Sequence, residues 1–325
     1  MTAATEAVVG MVFSSIALGP LCALGSSLTW AYGSAIYAQS ARVAGPLEVN
    51  LTRSLIVLPL FVLMTLVTVG PASVQLLTAP RLGWMVLSTL CSYGVGDVMF
   101  YLAAMRLGTP TALAISSAYP VWATLLGVLT LGEKLTAARV VGTLCCIAGV
   151  IWLVLLQPQD PEGRKPPQSS PPIAPARHLG QRWLGLVLAV LTSLLWAGNG
   201  YSIARGASAL PLSLVNAVRY LMAVVGLGVV WLWRARKPQS GSGKLLCSKK
   251  ALRPFLLTAV IEAFFGSSIF VYAMSHGDLS VAAPLSSLAP LFAVPIGLLL
   301  RTERINIRRL LAIMLTVAGV ILLVA

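Results

Sequence analysis

Charge is what this 325-residue sequence most lacks: only 10% of its residues are Asp, Glu, Lys or Arg, against roughly 25% in soluble domains. Acids are the scarcest, nine in all beside 23 Lys and Arg. Hydrophobic residues make up 58% of the chain, and a soluble globule of this size would have to turn much of that surface to water. A bilayer absorbs it. The five cysteines (Cys22, Cys91, Cys145, Cys146, Cys247) lie apart from any metal-knuckle or disulfide spacing, so they read as packing residues. The two histidines stand at the end of a polar stretch (His178) and of an apolar run (His276). No Gly-rich phosphate loop, His-Glu-x-x-His helix or Gly-x-Ser-x-Gly elbow is present. These gaps argue against an enzyme and offer no site to a metal or cofactor.

The formal net charge of +14 would suggest nucleic acid in a soluble protein. Here the basic residues gather in short loops beside apolar runs, which marks them as topology determinants and excludes a nucleic-acid partner. A membrane-spanning helix needs about 20 mostly apolar residues. Ten runs qualify: 15–41, 47–69, 82–104, 109–131, 137–156, 182–206, 211–233, 254–275, 280–300 and 307–325. The N-terminus has neither the positive n-region nor the cleavage site of a signal peptide, so the first run is expected to be a retained helix. Between the fifth and sixth runs lies QPQDPEGRKPPQSSPPIAPAR, a Pro-rich polar segment unable to bury a core. The expected organisation is a five-helix unit over 1–156, a linker over 157–181 and a second five-helix unit over 182–325.

The two units are copies. With an offset of 166, Trp30 falls over Trp196, Asn50 over Asn216 and Arg53 over Arg219; from residue 96 the offset is 170. Over 96–154 there are then eighteen identities without a gap. Among them are Gly96/Gly266, Ser116/Ser286, Ser117/Ser287, Pro120/Pro290, Gly127/Gly297, Glu133/Glu303 and Arg139/Arg309. Apolar composition alone does not align Asn, Arg, Pro and Glu in register. Because five is odd, the second copy must enter the membrane from the opposite face, an architecture that recurs in secondary transporters. The fold expected is an all-α integral membrane protein of ten transmembrane helices in two inverted-topology five-helix repeats.

The stretch Tyr119-Pro120-Val121-Trp122 through Leu131-Gly132-Glu133-Lys134-Leu135-Thr136 to Ala148-Gly149-Val150 resembles the EamA domain of the drug/metabolite transporter superfamily. So does its copy from Ala289-Pro290 through Glu303 to Ala318-Gly319-Val320. The resemblance covers about 28–154 and 194–324. It implies alternating access and secondary-active movement, as efflux, of small metabolites such as amino-acid-like solutes. A flippase for lipids or lipid-linked sugars is the alternative on the same fold, and an intramembrane enzyme the alternative from another class. The partners so implied are a small-molecule substrate, the bilayer and protons; a monomer is compatible with this reading. The second copy departs from the pattern where Leu300-Arg301-Thr302-Glu303 stands in place of Leu-Gly-Glu. One side of the ten-span arrangement carries four Lys and Arg and the other seventeen. The positive-inside rule thus puts linker 157–181 and loop 234–253 in the cytoplasm and both termini outside, in the plasma (inner) membrane.

Ionisable groups inside spans are costly and functional by default, and four stand out: Arg53, Asp97, Arg219 and Glu262. Tyr93, Asp97, Phe100 and Tyr101 fall on one helical face of the third run, and Glu262, Phe265, Ile269 and Tyr272 on one face of the eighth. An acid set among aromatics suits a cavity for an amphipathic solute; the alternative is a packing stripe. Asp97 and Glu262 lie roughly 10–12 Å from the basic side at 1.5 Å per residue, and Arg53 about 9 Å from the same side. The two acids could share a proton, or each pair with Arg53, with opposite consequences for protonation. Both are therefore proton-coupling candidates. Arg219 lies about as deep from the other side. It is read either as locally satisfied or as meeting the anionic group of a substrate. Ser116, Tyr119 and Ser286 adjoin Pro120 and Pro290, whose kinks free carbonyls that could line a site or be re-satisfied by the serines. The substrate-binding set expected is thus Arg53, Tyr93, Asp97, Tyr101, Ser116, Tyr119, Arg219, Glu262, Phe265 and Ser286. Glu133 and Arg139, across a tight turn, are expected to form a hairpin ion pair, Thr136 to cap the helix that follows, and Gly142 and Gly149 to serve close helix packing.

Overall fold

A computed structural model of the chain describes residues 3–156, 179–235, 249–292 and 307–324. Glu303, Pro295, Asn306 and most of the linker and of the loop at 234–253 lie outside these. Every regular element among the described residues is helical. In chain order they are α1 (Ala3–Ala44), α2 (Pro46–Thr68), α3 (Ala79–Leu107), α4 (Thr109–Ser116 and Tyr119–Leu126, ending in a π turn, Gly127–Leu131) and α5 (Ala137–Leu155). The second half gives α6 (Leu179–Gly206), α7 (Leu212–Ala235), α8 (Lys249–Thr258, a π-helical stretch Ala259–Gly266, and Ser267–His276), α9 (Leu279–Ser286) and α10 (Ile307–Val324). Among the described residues, six helical stretches are long and apolar enough to cross a membrane: Pro46–Thr68, Ala79–Leu107, Thr111–Leu131, Gly180–Gly206, Leu212–Arg234 and Leu252–His276. The outer surface is apolar, with Leu63, Val67, Leu129, Val229 and Leu257 all turned outward. A soluble monomer does not expose such a patch; the protein is an integral membrane protein.

The helix ends follow from local chemistry. Pro46 starts α2 at a position where a missing N–H costs nothing. Thr136 caps α5, its hydroxyl accepting the Arg139 N–H at 3.2 Å. At Ser117-Ala118 the backbone tightens into i−3 bonds and α4 breaks just before Pro120. The same happens in α9, where α-helical bonding stops at Ser286 and Pro290 follows. The serine–proline pairs of the two copies therefore mark two matching helix breaks. α3 also carries an interruption that recurs in its counterpart: a π turn at Leu90–Gly94 corresponds to the π-helical Ala259–Gly266 of α8.

Packing follows the duplication. α1 packs on α8 and α3 on α6, while α2 packs on α7, α4 on α9 and α5 on α10. Exchanging the halves leaves this set of neighbours unchanged. The partners run antiparallel: Gly33 faces Glu262 while Gly19 faces Gly277, and Trp196 meets Asp97 while Gly185 meets Arg106. Residues that the offsets make equivalent come into contact with each other, Trp30 with Trp196 at 5.6 Å and Cys146 with Thr316 at 3.7 Å. α5 and α10 touch backbone to backbone. A Cβ on Gly142 would lie 2.8 Å from the Gly319 carbonyl, and one on Gly319 2.7 Å from the Gly142 carbonyl.

One expectation is corrected. Glu133 does not pair with Arg139. Its carboxylate crosses to the other half and accepts the backbone N–H groups of Leu279 at 2.6 Å and Ser280 at 2.9 Å, capping α9. Free N–H groups and positive potential make that helix start a better partner than a mobile side chain. Arg139 is left to Asp278, at 2.7 Å.

Candidate functional site

A cavity of about 110 Å³ opens where α1, α2, α3, α6, α7, α8 and the broken helices α4 and α9 converge. Arg53, Tyr93, Asp97, Tyr119, Arg219, Glu262 and Ser286 line it. Ser116, Tyr101 and Phe265 do not. Ser116 turns its hydroxyl to the Ala189 carbonyl at 3.3 Å, leaving the lining to Ser117. Tyr101 is wholly buried in the packing between α1, α3 and α4. Phe265 is 57% exposed on the outer surface. The reading that put Phe265 on one face with Glu262 assumed α-helical spacing. The stretch from Ala259 to Gly266 is π-helical, and its i→i+5 bonding turns a residue three places on away from the α-helical stripe. The sequence reading also missed Trp30, Ser92, Trp196, Asn199 and Ser267. Trp30 and Trp196 carried a signal, since they anchor the alignment of the copies; the serines and the asparagine did not stand out from other small polar residues.

The charged groups are arranged around Arg53, which is 1% exposed. Its Nη2 donates to Asp97 Oδ2 at 2.5 Å and to Asn50 Oδ1 at 3.0 Å, and its Nη1 lies 3.7 Å from Glu262 Oε2. Arg53, Asp97 and Glu262, expected at similar depth, thus meet in one cluster. The two acids are held differently. Both Asp97 oxygens are engaged, the second by Trp196 Nε1 at 3.0 Å, whereas Glu262 Oε2 accepts no hydrogen bond. The Glu262 side chain lies against Gly33 of α1, where a Cβ would come within 2.7 Å of it. Asn50 is fixed in turn by donating to the Tyr93 carbonyl at 2.8 Å, one of the carbonyls that the π turn displaces from regular α-helical bonding.

Arg219, also 1% exposed, lines the same cavity without an acidic partner among the described residues. Its Nη groups donate to neutral oxygens: Asn216 Oδ1 at 3.2 Å, Asn199 Oδ1 at 3.0 Å and Ser92 Oγ at 3.3 Å. Tyr93 ties the two arginines together, each guanidinium carbon lying 5.0 Å from its ring centroid. Such contacts favour a cation in a desolvated place. Among the described residues no cluster of His, Cys, Asp and Glu could hold a metal ion. A small chamber that sets two arginines and two acids among aromatic and other apolar walls is suited to holding a compact solute.

Comparison with known proteins agrees. An uncharacterized transporter of Archaeoglobus fulgidus is 23% identical over 303 residues, 93% of this chain and 96% of its own length. An uncharacterized protein of Methanocaldococcus jannaschii is 30% identical over 79 residues, 24% of this chain and 57% of its own. A crystal structure of another protein, 17% identical, has the same fold with a TM-score of 0.70, covering 94% of both chains. Residues 17–155 and 183–325 each match the EamA-like transporter family; the chain belongs to that family, part of the drug/metabolite transporter superfamily, and is a membrane transporter.

Proposed function

We propose that the protein is a secondary-active carrier exporting small organic metabolites. Ten helices, in two five-helix repeats of opposite membrane orientation, would give the cavity alternating access to the two sides. The observation that carries this reading is the buried, charge-lined cavity where helices of one copy meet the antiparallel helices of the other. Binding at the interface of two inverted repeats lets one half rock against the other around a fixed solute. The family supports transport, and the exchange-invariant packing supports the inversion. A flippase shares the fold, but the cavity is small, about 110 Å³, and places Arg53, Asp97, Arg219 and Glu262 among packed helices, which favours a compact solute over a lipid chain.

Glu262 is the proposed proton carrier. Asp97 is locked by Arg53 and Trp196, whereas Glu262 keeps one oxygen without a hydrogen bond and a looser contact with Arg53. Arg53, Asp97, Tyr37, Tyr101 and Tyr220 are the charged and titratable groups set around it. Gaining or losing its proton rearranges the least constrained member of the cluster. The experiment is solute uptake into proteoliposomes with and without a pH gradient. Glu262→Gln is expected to lose gradient-driven accumulation and keep solute exchange. Equal loss of both activities in a folded variant would refute proton coupling, and absence of uptake for every small organic solute by the wild-type protein would refute the carrier.

A further inference from the structure

The two arginines occupy equivalent positions, yet their surroundings differ in one systematic way. Continuing the offset of 170 through the matching π turns places Ser267 at the counterpart of Asp97 and Ser92 at the counterpart of Glu262. Contacts bear out this register. Arg53 reaches Asp97 on its own half and Glu262 on the other. Arg219 reaches Ser92 on the other half at 3.3 Å, and its neighbour Asn216 accepts from Ser267 on its own half at 2.8 Å. Each acid of the first site is thus replaced by a hydroxyl in the second.

A second break in the symmetry frees a donor. Asn50 spends its amide on the Tyr93 carbonyl. The matching carbonyl, of Ala263, is taken by the Tyr220 hydroxyl at 2.8 Å. Asn216 Nδ2 is left buried without an acceptor; Arg219 Nε lacks one too, as Arg53 Nε does in the first site. The result is a buried positive charge, an amide and a guanidinium donor without acceptors and two hydroxyls, with no carboxylate in ion-pair contact with Arg219 among the described residues. Burying a cation without a counter-charge is costly, and leaving donors unmade adds to that cost.

We propose that this half of the cavity is an anion site and that its ligand is a carboxylate carried by the solute. The group takes the place that Asp97 occupies beside Arg53. A planar carboxylate matches a guanidinium fork and leaves an oxygen for the amide of Asn216. As the cargo's own group, the carboxylate rests on the transporter reading; binding itself does not.

The test is a melting-temperature titration of the purified protein in neutral detergent with sodium acetate, and separately with sodium chloride. A ligand of the native state raises the melting temperature saturably. Wild-type protein is expected to respond to acetate at concentrations at least about tenfold below those needed with chloride. One lost charge-assisted contact should shift half-saturation by at least about tenfold in Arg219→Gln. Ser267→Asp, which restores the missing acid, should fill the site from within: it melts higher without added salt and no longer responds to acetate. Generic salt effects are common to all variants and cancel. Should Ser267→Asp fail to fold, Ser92→Glu supplies the other missing acid and carries the same expectation. An acetate response unchanged in a folded acid-restoring variant or in Arg219→Gln overturns the site, as does no wild-type response. Equal wild-type responses to chloride and acetate overturn the carboxylate. A wild-type protein that takes up solute yet ignores acetate loses only this inference; one that binds acetate but takes up nothing loses only the carrier reading.

Discussion

The unequal grip on Asp97 and Glu262 predicts an unequal cost when each is neutralised. Asp97→Asn removes the charge from an ion pair whose side chains are 1% and 7% exposed. Removing one partner of a buried pair costs about 3–5 kcal/mol. Part of this is recovered here, because Asn50 still accepts from Arg53 and Glu262, 3.7 Å away, can close on it. The lower end, about 3 kcal/mol, is expected. Glu262→Gln leaves the Arg53–Asp97 pair intact and removes a carboxylate that itself had to be desolvated, so about 1 kcal/mol is expected. The difference, about 2 kcal/mol, is roughly thirtyfold in the unfolding equilibrium constant. Reversible unfolding in mixed micelles measures it. Double-mutant cycles with Arg53→Gln then isolate the two couplings, the one with Asp97 expected to be the larger. A coupling of Arg53 to Glu262 equal to or above that with Asp97 would show that the short pair does not hold the cluster, and would return Asp97 to candidacy as the proton carrier.

Two further outcomes follow from contacts between the halves. Glu133→Ala should lower stability by about 2 kcal/mol, since it removes two charge-assisted bonds to the start of α9. Gly127→Ala should reproduce much of that loss in the same melting assay, because its Cβ would fall 2.7 Å from a Glu133 carboxylate oxygen; an unchanged melting temperature in both would remove the cap from the account. Gly142→Leu should abolish folded, monodisperse protein in size-exclusion chromatography, whereas Gly226→Leu, at a position with open space around it, should leave the elution profile intact.

Much of this was legible in the sequence because duplication writes many of the important residues twice. The aligned Asn and Arg pairs, the serine–proline breaks and the small residues of α5 all stand where the repeat put them. Depth arithmetic sufficed to unite Arg53, Asp97 and Glu262, since helices of fixed rise carry residue number directly into distance from the interface. Phe265 escaped because a π turn depends on backbone bonding that no residue type announces. Ser116 and Ser117 are adjacent and chemically identical, so only the helix break decides which faces the cavity. Glu133 was misread for a different reason: Arg139, the partner expected across the turn, lay six residues on, while its actual partners are backbone N–H groups 146 and 147 residues away, which carry no side-chain signature.

The bare contact between α5 and α10 has a mechanical consequence. Where side chains interdigitate, one helix turns against another only by lifting knobs out of holes, and each rotamer is a detent. Gly142 and Gly319 present peptide planes instead, with Cys146 and Thr316 meeting midway between them and the opposite Gly149–Ala312 contact. Two surfaces in such close backbone contact can change their crossing angle with little repacking. Such a crossing opposes separation of the two helices more than it opposes rotation of one against the other.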